Sequence, residues 1–288
     1  MTGVDGGPAD RGMRRLGMQT DVGMIRPVDE DSILAMDLSL ASDSKSRSMR
    51  LLVVADGMGG RAKGEDASRI AVDSLSCRVV SGSFGSSSLA GLLEHGIQDA
   101  NRRILDHTVS HPESEGMGTT VVCAIVAGND VYVANVGDSR AYAVHRGGIR
   151  RITKDHSVVQ ELVDAGKITE EEARTHPQKN IITRAVGHAG YIDVDTFRLT
   201  LDSDESLLLC CDGVMAHLTD DDIHAAVTES EDPQKACQRI IDTANERGGK
   251  DNISLIILSE GQDADDPAGQ KDAKTVLTTG GKAQRLPS

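Results

Sequence analysis

The chain has 288 residues, room for one large domain or two small ones, and its 38% hydrophobic content includes only two Phe, three Tyr and no Trp, so any core must be aliphatic. A net charge of −14 without clustered basic and aromatic residues argues against nucleic acid and against anionic membrane surfaces as partners. No apolar stretch approaches the roughly 18 residues that would span a bilayer.

Residues 1–12 and 261–288 are poor in apolar side chains and predict disordered ends, the first lacking the apolar centre of a signal peptide. Arg26-Pro27-Val28-Asp29-Glu30-Asp31 places one arginine ahead of three acids. It reads either as a guanidinium that grips phosphate beside acids facing a metal, or as a solvated charged turn before a strand at Ser32. The apolar run Leu51–Ala55 reads as a strand covered on both faces and ends in Asp56-Gly57-Met58-Gly59-Gly60.

Gly64-Glu65-Asp66 opens a helix with acids in its first turn. Ala67, Ile70, Ala71, Leu75 and Val79 continue it at helical spacing. A second helix follows through Leu89, Leu92, Leu93, Ile97, Ala100 and Ile104, after a Gly/Ser-rich loop at 81–88. Strands are predicted over Thr119–Ala127 and Asp130–Val136, joined by a Gly128-Asn129-Asp130 turn, and over Arg140–His145. Short helices follow over His156–Ala165 and Thr169–Thr175, then strands over Ile192–Leu199 and Ser206–Cys211. The latter ends in a second Asp-Gly pair, Asp212-Gly213. Helices over Asp220–Thr228 and Pro233–Arg247 precede Asp251-Asn252 and a last strand, Ile253–Leu258. This order is α+β, and it predicts two packed sheets with helices outside, in one domain over 13–260. Asp138, between two strands, is a hairpin-turn residue unless it faces the same pocket as the other aspartates. Five cysteines, an odd number without a C-x-x-C pair, predict cytosolic free thiols.

An aspartate ending a buried strand borders a dry interior, where an unpaired carboxylate is costly. Two such charges about 4 Å apart repel by about 4 kcal/mol at an effective dielectric near 20. If Asp56, Asp212 and Asp251 converge, a proton or a cation must relieve them, and an oxygen-only set favours Mg²⁺ or Mn²⁺. No cysteine is followed six residues later by arginine, and no G-x-x-x-x-G-K-[ST] loop is present, which removes two other phosphoryl chemistries.

Taken in order, Arg26…Glu30-Asp31, Val54 to Gly60, Gly118-Thr119-Thr120, Ala134 to Arg140, Asp155-His156-Ser157, Ile182 to Gly187, Cys211-Asp212-Gly213 and Asp251 to Ser254 resemble the metal-dependent type 2C Ser/Thr protein phosphatases, particularly the bacterial branch. The resemblance covers about residues 14–260. It implies a central β-sandwich of two antiparallel sheets flanked by pairs of α-helices, and a two-metal centre at one end of the sandwich. Asp56 would bridge the metals, the Gly57 carbonyl would bind one, and Asp212 and Asp251 would complete the protein ligands. Glu30 and Asp31 would reach metal-bound waters, and Asp138 with Asp212 would hold a third, weaker ion. Arg26 would bind phosphate, and a mobile flap would span about Ser157–Thr183. Two departures stand out: Asp29 replaces the usual Asn, and Met58 stands where animal members carry a histidine, leaving metal-bound water as the candidate proton donor.

The expected activity is hydrolysis of phosphoserine and phosphothreonine in proteins by a metal-bridging hydroxide, in a cytoplasmic monomer that opposes Ser/Thr kinases. Its alternatives are a non-catalytic phosphoprotein-binding module of the same fold, and an enzyme of that fold devoted to one signalling partner.

Overall fold

The computed structural model describes residues 14–42, 45–59, 63–82, 88–259 and 276–279. The disordered ends expected over 1–12 and 261–288 and the centre of the Gly/Ser-rich loop, 83–87, lie outside the described residues, except for Val276–Thr279.

One sheet runs β1 (Arg15–Asp21), β11 (Ile253–Ser259), β10 (Ser206–Cys210), β7 (Arg140–His145) and β8 (Gly148–Arg151), every neighbour antiparallel. The other runs β12 (Val276–Thr279), β2 (Asp31–Ser42), β3 (Lys45–Met58), β5 (Val121–Ala127), β6 (Asp130–Val136) and β9 (Asp195–Thr200), also antiparallel throughout. The short β4 (Gly118–Thr119) pairs with the end of β3.

Side-chain parity sorts the strands into layers. Leu51, Val53 and Ala55 face α1 (Gly64–Gly82) and α2 (Leu89–Ser110), whose predicted apolar positions Ala67, Ile70, Leu75, Leu93, Ile97 and Ile104 are all buried. Leu52 and Val54 turn the other way, with Ile33 and Ala35 of β2, to meet Leu207, Leu209, Ile256 and Leu258 of the opposite sheet. The outer face of that sheet packs through Leu208, Leu255 and Ile257 on α6 (Asp220–Glu229) and α7 (Pro233–Glu246). The result is the four-layer helix–sheet–sheet–helix sandwich expected.

Differences from the sequence reading fall at edges. The expected strand over Thr119–Ala127 is broken at Thr120, whose N–H is taken by the Asp56 carbonyl at 2.9 Å. The strand expected from Ile192 begins at Asp195, since Ile192 is buried under the helical layer instead. β1 and β8 were not foreseen; both are edge strands without a continuous apolar run. Inside the expected tail, Val276–Thr279 forms a strand on the outer edge of β2, a segment of strand-forming residues rather than free chain. All five cysteines are free thiols.

Candidate metal centre

The inter-sheet core runs out at one end of the sandwich, and there the parity that buries Val54 and Ile33 delivers carboxylates. Asp56 follows Leu52 and Val54 on the same face of β3, and Asp31 precedes Ile33 and Ala35 on β2. Asp31 is paired directly with Asp56 in the strand register, so the two side chains stand side by side. Asp212 arrives at the first residue of the short helix α5 (Asp212–Met215), directly after β10, and Asp251 just before β11. Asp138 sits in the β6–β7 turn after Gly137.

Both Asp-Gly glycines are needed where another backbone closes in. A Cβ on Gly57 would lie 2.2 Å from the Gly64 carbonyl oxygen, and one on Gly213 would lie 1.9 Å from that of Asn252.

The carboxyls raise one another's affinity for protons. Asp56 is pushed well above the usual carboxylate range by burial, then by Asp31, Asp212, Asp138 and Asp251. Asp212 is raised by burial and Asp251, and lies close enough to Asp56 to share a hydrogen bond with it. Asp138 is raised by burial, then by Asp212 and Asp155. Asp31 is raised by burial and then by Asp29. Neither Asp31 oxygen makes a hydrogen bond of regular geometry, although the side chain is 1% exposed. Such a set fits a divalent cation. Hard oxygen donors converge, the buried Asp31 carboxylate meets the Ser254 and Cys211 side chains without regular hydrogen-bond geometry, and a bound cation would displace the protons that otherwise relieve the repulsion.

Arg26 is found on Asp251, with its Nη2 donating to Oδ2 at 2.7 Å and the side chain 46% exposed. Glu30 is anchored from both ends: its carboxylate accepts from the Gly64 N–H at the start of α1, and its carbonyl accepts from Gly57 N–H and the Ser68 hydroxyl. Asp29 is partly buried at the edge of the acidic group, where it raises Asp31. It accepts from the Thr20 hydroxyl at 2.6 Å and from Asp31 N–H at 3.1 Å, tying the acidic segment to β1.

Three residues acquire roles that the sequence reading did not assign. Asn252 donates through Nδ2 to the carbonyls of Val22 and Val28, each at 3.0 Å, and accepts from Glu30 N–H at 2.9 Å, clamping the loop that carries Arg26 and Glu30. Its place directly after Asp251 was the only signal. Cys211 has its sulfur within 4.8 Å of a carboxylate oxygen of both Asp31 and Asp56. Its thiol is raised far above normal by burial and by those carboxylates, so it stays protonated. His156 accepts from Gly137 N–H through Nδ1 at 3.0 Å and holds the turn that presents Asp138.

The segment expected as a flap forms α3 (Val158–Asp164) and α4 (Glu170–Thr175). Between it and the body lies a cavity of about 470 Å³ that reaches Asp138 and Asp212 and is lined by Arg151, Glu170, Arg174, Lys179 and Asp220. At the end of α2 the rings of His107 and His111 stack on each other at 4.2 Å.

A sandwich of this topology with converging aspartates at one end defines a class, the metal-dependent protein phosphatases, and the comparisons give the family. A family model described as Protein phosphatase 2C matches residues 36–252. A serine/threonine phosphatase stp from Listeria welshimeri is 34% identical over 85% of this chain and 98% of its own. The serine/threonine phosphatase PstP/Ppp of Mycobacterium tuberculosis superposes with a TM-score of 0.75 at 32% identity, covering 86% of this chain and 99% of that one. The PstP catalytic domain solved in complex with two manganese ions gives 0.72 at 31% identity, over 85% and 97%. The chain therefore belongs to the protein phosphatase 2C family, in its bacterial branch. It is a protein-serine/threonine phosphatase that depends on divalent metal, and the non-catalytic alternative is not favoured.

Proposed function

We propose that the carboxylates hold two divalent cations, Mn²⁺ or Mg²⁺, with a third bound more weakly, and that the enzyme hydrolyses phosphoserine and phosphothreonine without a covalent phosphoenzyme. The observation that carries this reading is the directly opposed pair of buried Asp31 and partly buried Asp56, with Asp212, Asp138 and Asp251 around it. Asp56, Asp212, Asp251 and the Gly57 carbonyl would hold the pair of ions, with Glu30 and Asp31 reaching their coordinated water, and Asp138 with Asp212 would hold the third. Bound divalent ions lower the pKa of a coordinated water toward neutrality and offset charge on the transferring phosphoryl group.

The chain's own groups do the rest. Arg26, steadied by Asp251, offers its half-exposed guanidinium to the phosphate and orients the ester. Cys211, protonated and buried, is no nucleophile, which supports direct attack by water. Substrates are phosphorylated proteins, so the enzyme opposes Ser/Thr kinases, acting as a cytoplasmic monomer; the net charge of −14 supports a protein rather than a nucleic-acid partner. The test is phosphopeptide turnover with Mn²⁺ and then with excess EDTA, alongside metal stoichiometry by calorimetry. Loss of turnover in EDTA and about two tight ions per chain, a count following from the two-metal mechanism, are expected. Turnover that persists in EDTA would sink the reading.

A further inference from the structure

Among the described residues, eight large hydrophobic side chains are exposed, and four of them lie in one seven-residue loop: Val22, Met24 (66% exposed), Ile25 (69%) and Val28. The same loop carries Arg26, with exposed Pro27 beside it. Apolar surface gathered this way beside a functional group marks a contact surface more often than chance exposure does.

The loop is held, not loose. Asn252 binds its first and last carbonyls, Val22 and Val28. Met24 N–H donates to the Gly249 carbonyl at 2.7 Å, and Gly23 N–H to Asp21 at 2.8 Å. Gly23, at φ 77°, takes a bend open to glycine, and a Cβ there would lie 2.2 Å from the Asp251 carbonyl oxygen. Met24, Ile25 and Val28 are thus presented outward on a backbone already fixed, so a partner that covers them orders little in doing so.

We propose that this loop is a docking ledge for apolar side chains of the phosphoprotein substrate, next in sequence to the phosphoresidue. The ledge therefore gives the enzyme a preference for phosphosites with apolar neighbours. The inference rests on Arg26 as the phosphate anchor. An extended peptide advances roughly 3.3–3.6 Å per residue, so with its phosphate on Arg26 its next one or two residues lie over the side chains that flank Arg26 in the loop. The substrate is the one partner that must meet this loop at every turnover. On the other side of the centre the cavity under the flap is of mixed lining, with Arg151, Glu170 and Lys179 beside Val159, Val163 and Leu218, and among the described residues four of the eight exposed large apolar side chains gather in the 22–28 loop.

The test compares two phosphothreonine peptides, one with Leu and one with Ser on both sides of the phosphoresidue, with p-nitrophenyl phosphate as a probe of the centre alone. All three are assayed with Mn²⁺ on the wild type, on a Met24→Ser/Ile25→Ser double variant and on Val28→Ser. The wild type should favour the Leu peptide by about tenfold in kcat/KM, mostly through KM, as burial of one apolar side chain on an open ledge allows. The variants should lose that preference while keeping p-nitrophenyl phosphate turnover within about twofold, since they leave the metal ligands untouched. No preference in the wild type, or an equal loss on both peptides, overturns the ledge. So does a concentration-dependent dimer in sedimentation that the double variant abolishes, which would assign the surface to a second copy of the chain. Failure of the underlying reading looks different: no Mn²⁺-dependent turnover of p-nitrophenyl phosphate by the wild type, or an Arg26→Ala variant with unchanged KM for both peptides.

Discussion

Asp31 and Asp56 are directly opposed in the β2–β3 register, on the face that looks between the two sheets, and neither Asp31 oxygen has a regular hydrogen bond. A buried carboxylate in that position opposes folding unless something neutralises it. Asp31→Asn should therefore stabilise the metal-free protein, by about 1–3 kcal/mol, while removing an anionic group from the metal centre. Urea unfolding in EDTA and in saturating Mn²⁺ separates the two effects. The variant's midpoint should rise in EDTA, and the extra stability gained from Mn²⁺ should shrink. A variant less stable in both conditions would mean that Asp31 is satisfied by its surroundings.

Arg26 and Asp251 form a pair with 46% and 34% of their side chains exposed, so the contact contributes at most about 1 kcal/mol to stability. Their functional roles differ by more. Arg26→Ala should raise KM for phosphopeptides roughly tenfold with a smaller change in kcat, as expected for a residue that binds the phosphate. Asp56→Asn and Asp251→Asn should abolish turnover in assays that leave the fold intact by circular dichroism. A kcat for Asp251→Asn near that of the wild type would remove Asp251 from the ligand set.

The continuous runs Leu51–Ala55 and Ile253–Leu258 declared their strands because both faces are covered, and α1 and α2 declared themselves by spacing. β1 and β8 did not, since edge strands need no continuous apolar run; the partner of β1, β11, also comes from far along the chain, whereas β8 pairs with the adjacent β7 and is only four residues long. Asp31 beside Asp56 was legible in principle from parity, once β2 and β3 were read as neighbours. The Arg26–Asp251 pair spans 225 residues and the Glu30–Asn252 contact 222, and no local pattern encodes either. Asp29 was hidden for another reason: its partner Thr20 is only nine residues away but lies on the unforeseen edge strand β1.

Asp222 joins two devices at the start of α6. It closes a capping box with Thr219, and it receives both terminal nitrogens of Arg247, at 2.6 and 2.9 Å. Hydrogen bonds from Arg247 and then from the Thr219 N–H hold its carboxyl well below the usual range. A depressed folded pKa gives stability that is complete above the unfolded value, about 3.9, and is lost as pH falls toward the folded one. Asp222→Asn should thus cost about 1 kcal/mol at neutral pH, allowing for solvent screening of a surface pair. The gap between variant and wild type should close progressively below about pH 4. A gap that stays constant down to the acid transition would assign the effect to packing rather than charge.

Asn252 is the clamp on which the site's loop depends. Its amide spends both donor bonds on Val22 and Val28 and its oxygen on Glu30 N–H, all partly buried. Asn252→Ala strands three backbone groups, at a cost of about 2–4 kcal/mol if each loses most of a hydrogen bond. Asn252→Asp keeps the acceptor for Glu30 but sets a carboxylate against two carbonyl oxygens, so it should be no milder. Hydrogen exchange across residues 20–30 should accelerate in both variants, with protection of the distant α6 and α7 unchanged under conditions where the fold persists. Phosphopeptide KM should rise with the exchange rate, because Arg26 and the apolar side chains around it are delivered by the same loop. Faster exchange with unchanged KM would show that the loop's order is not what binds the substrate.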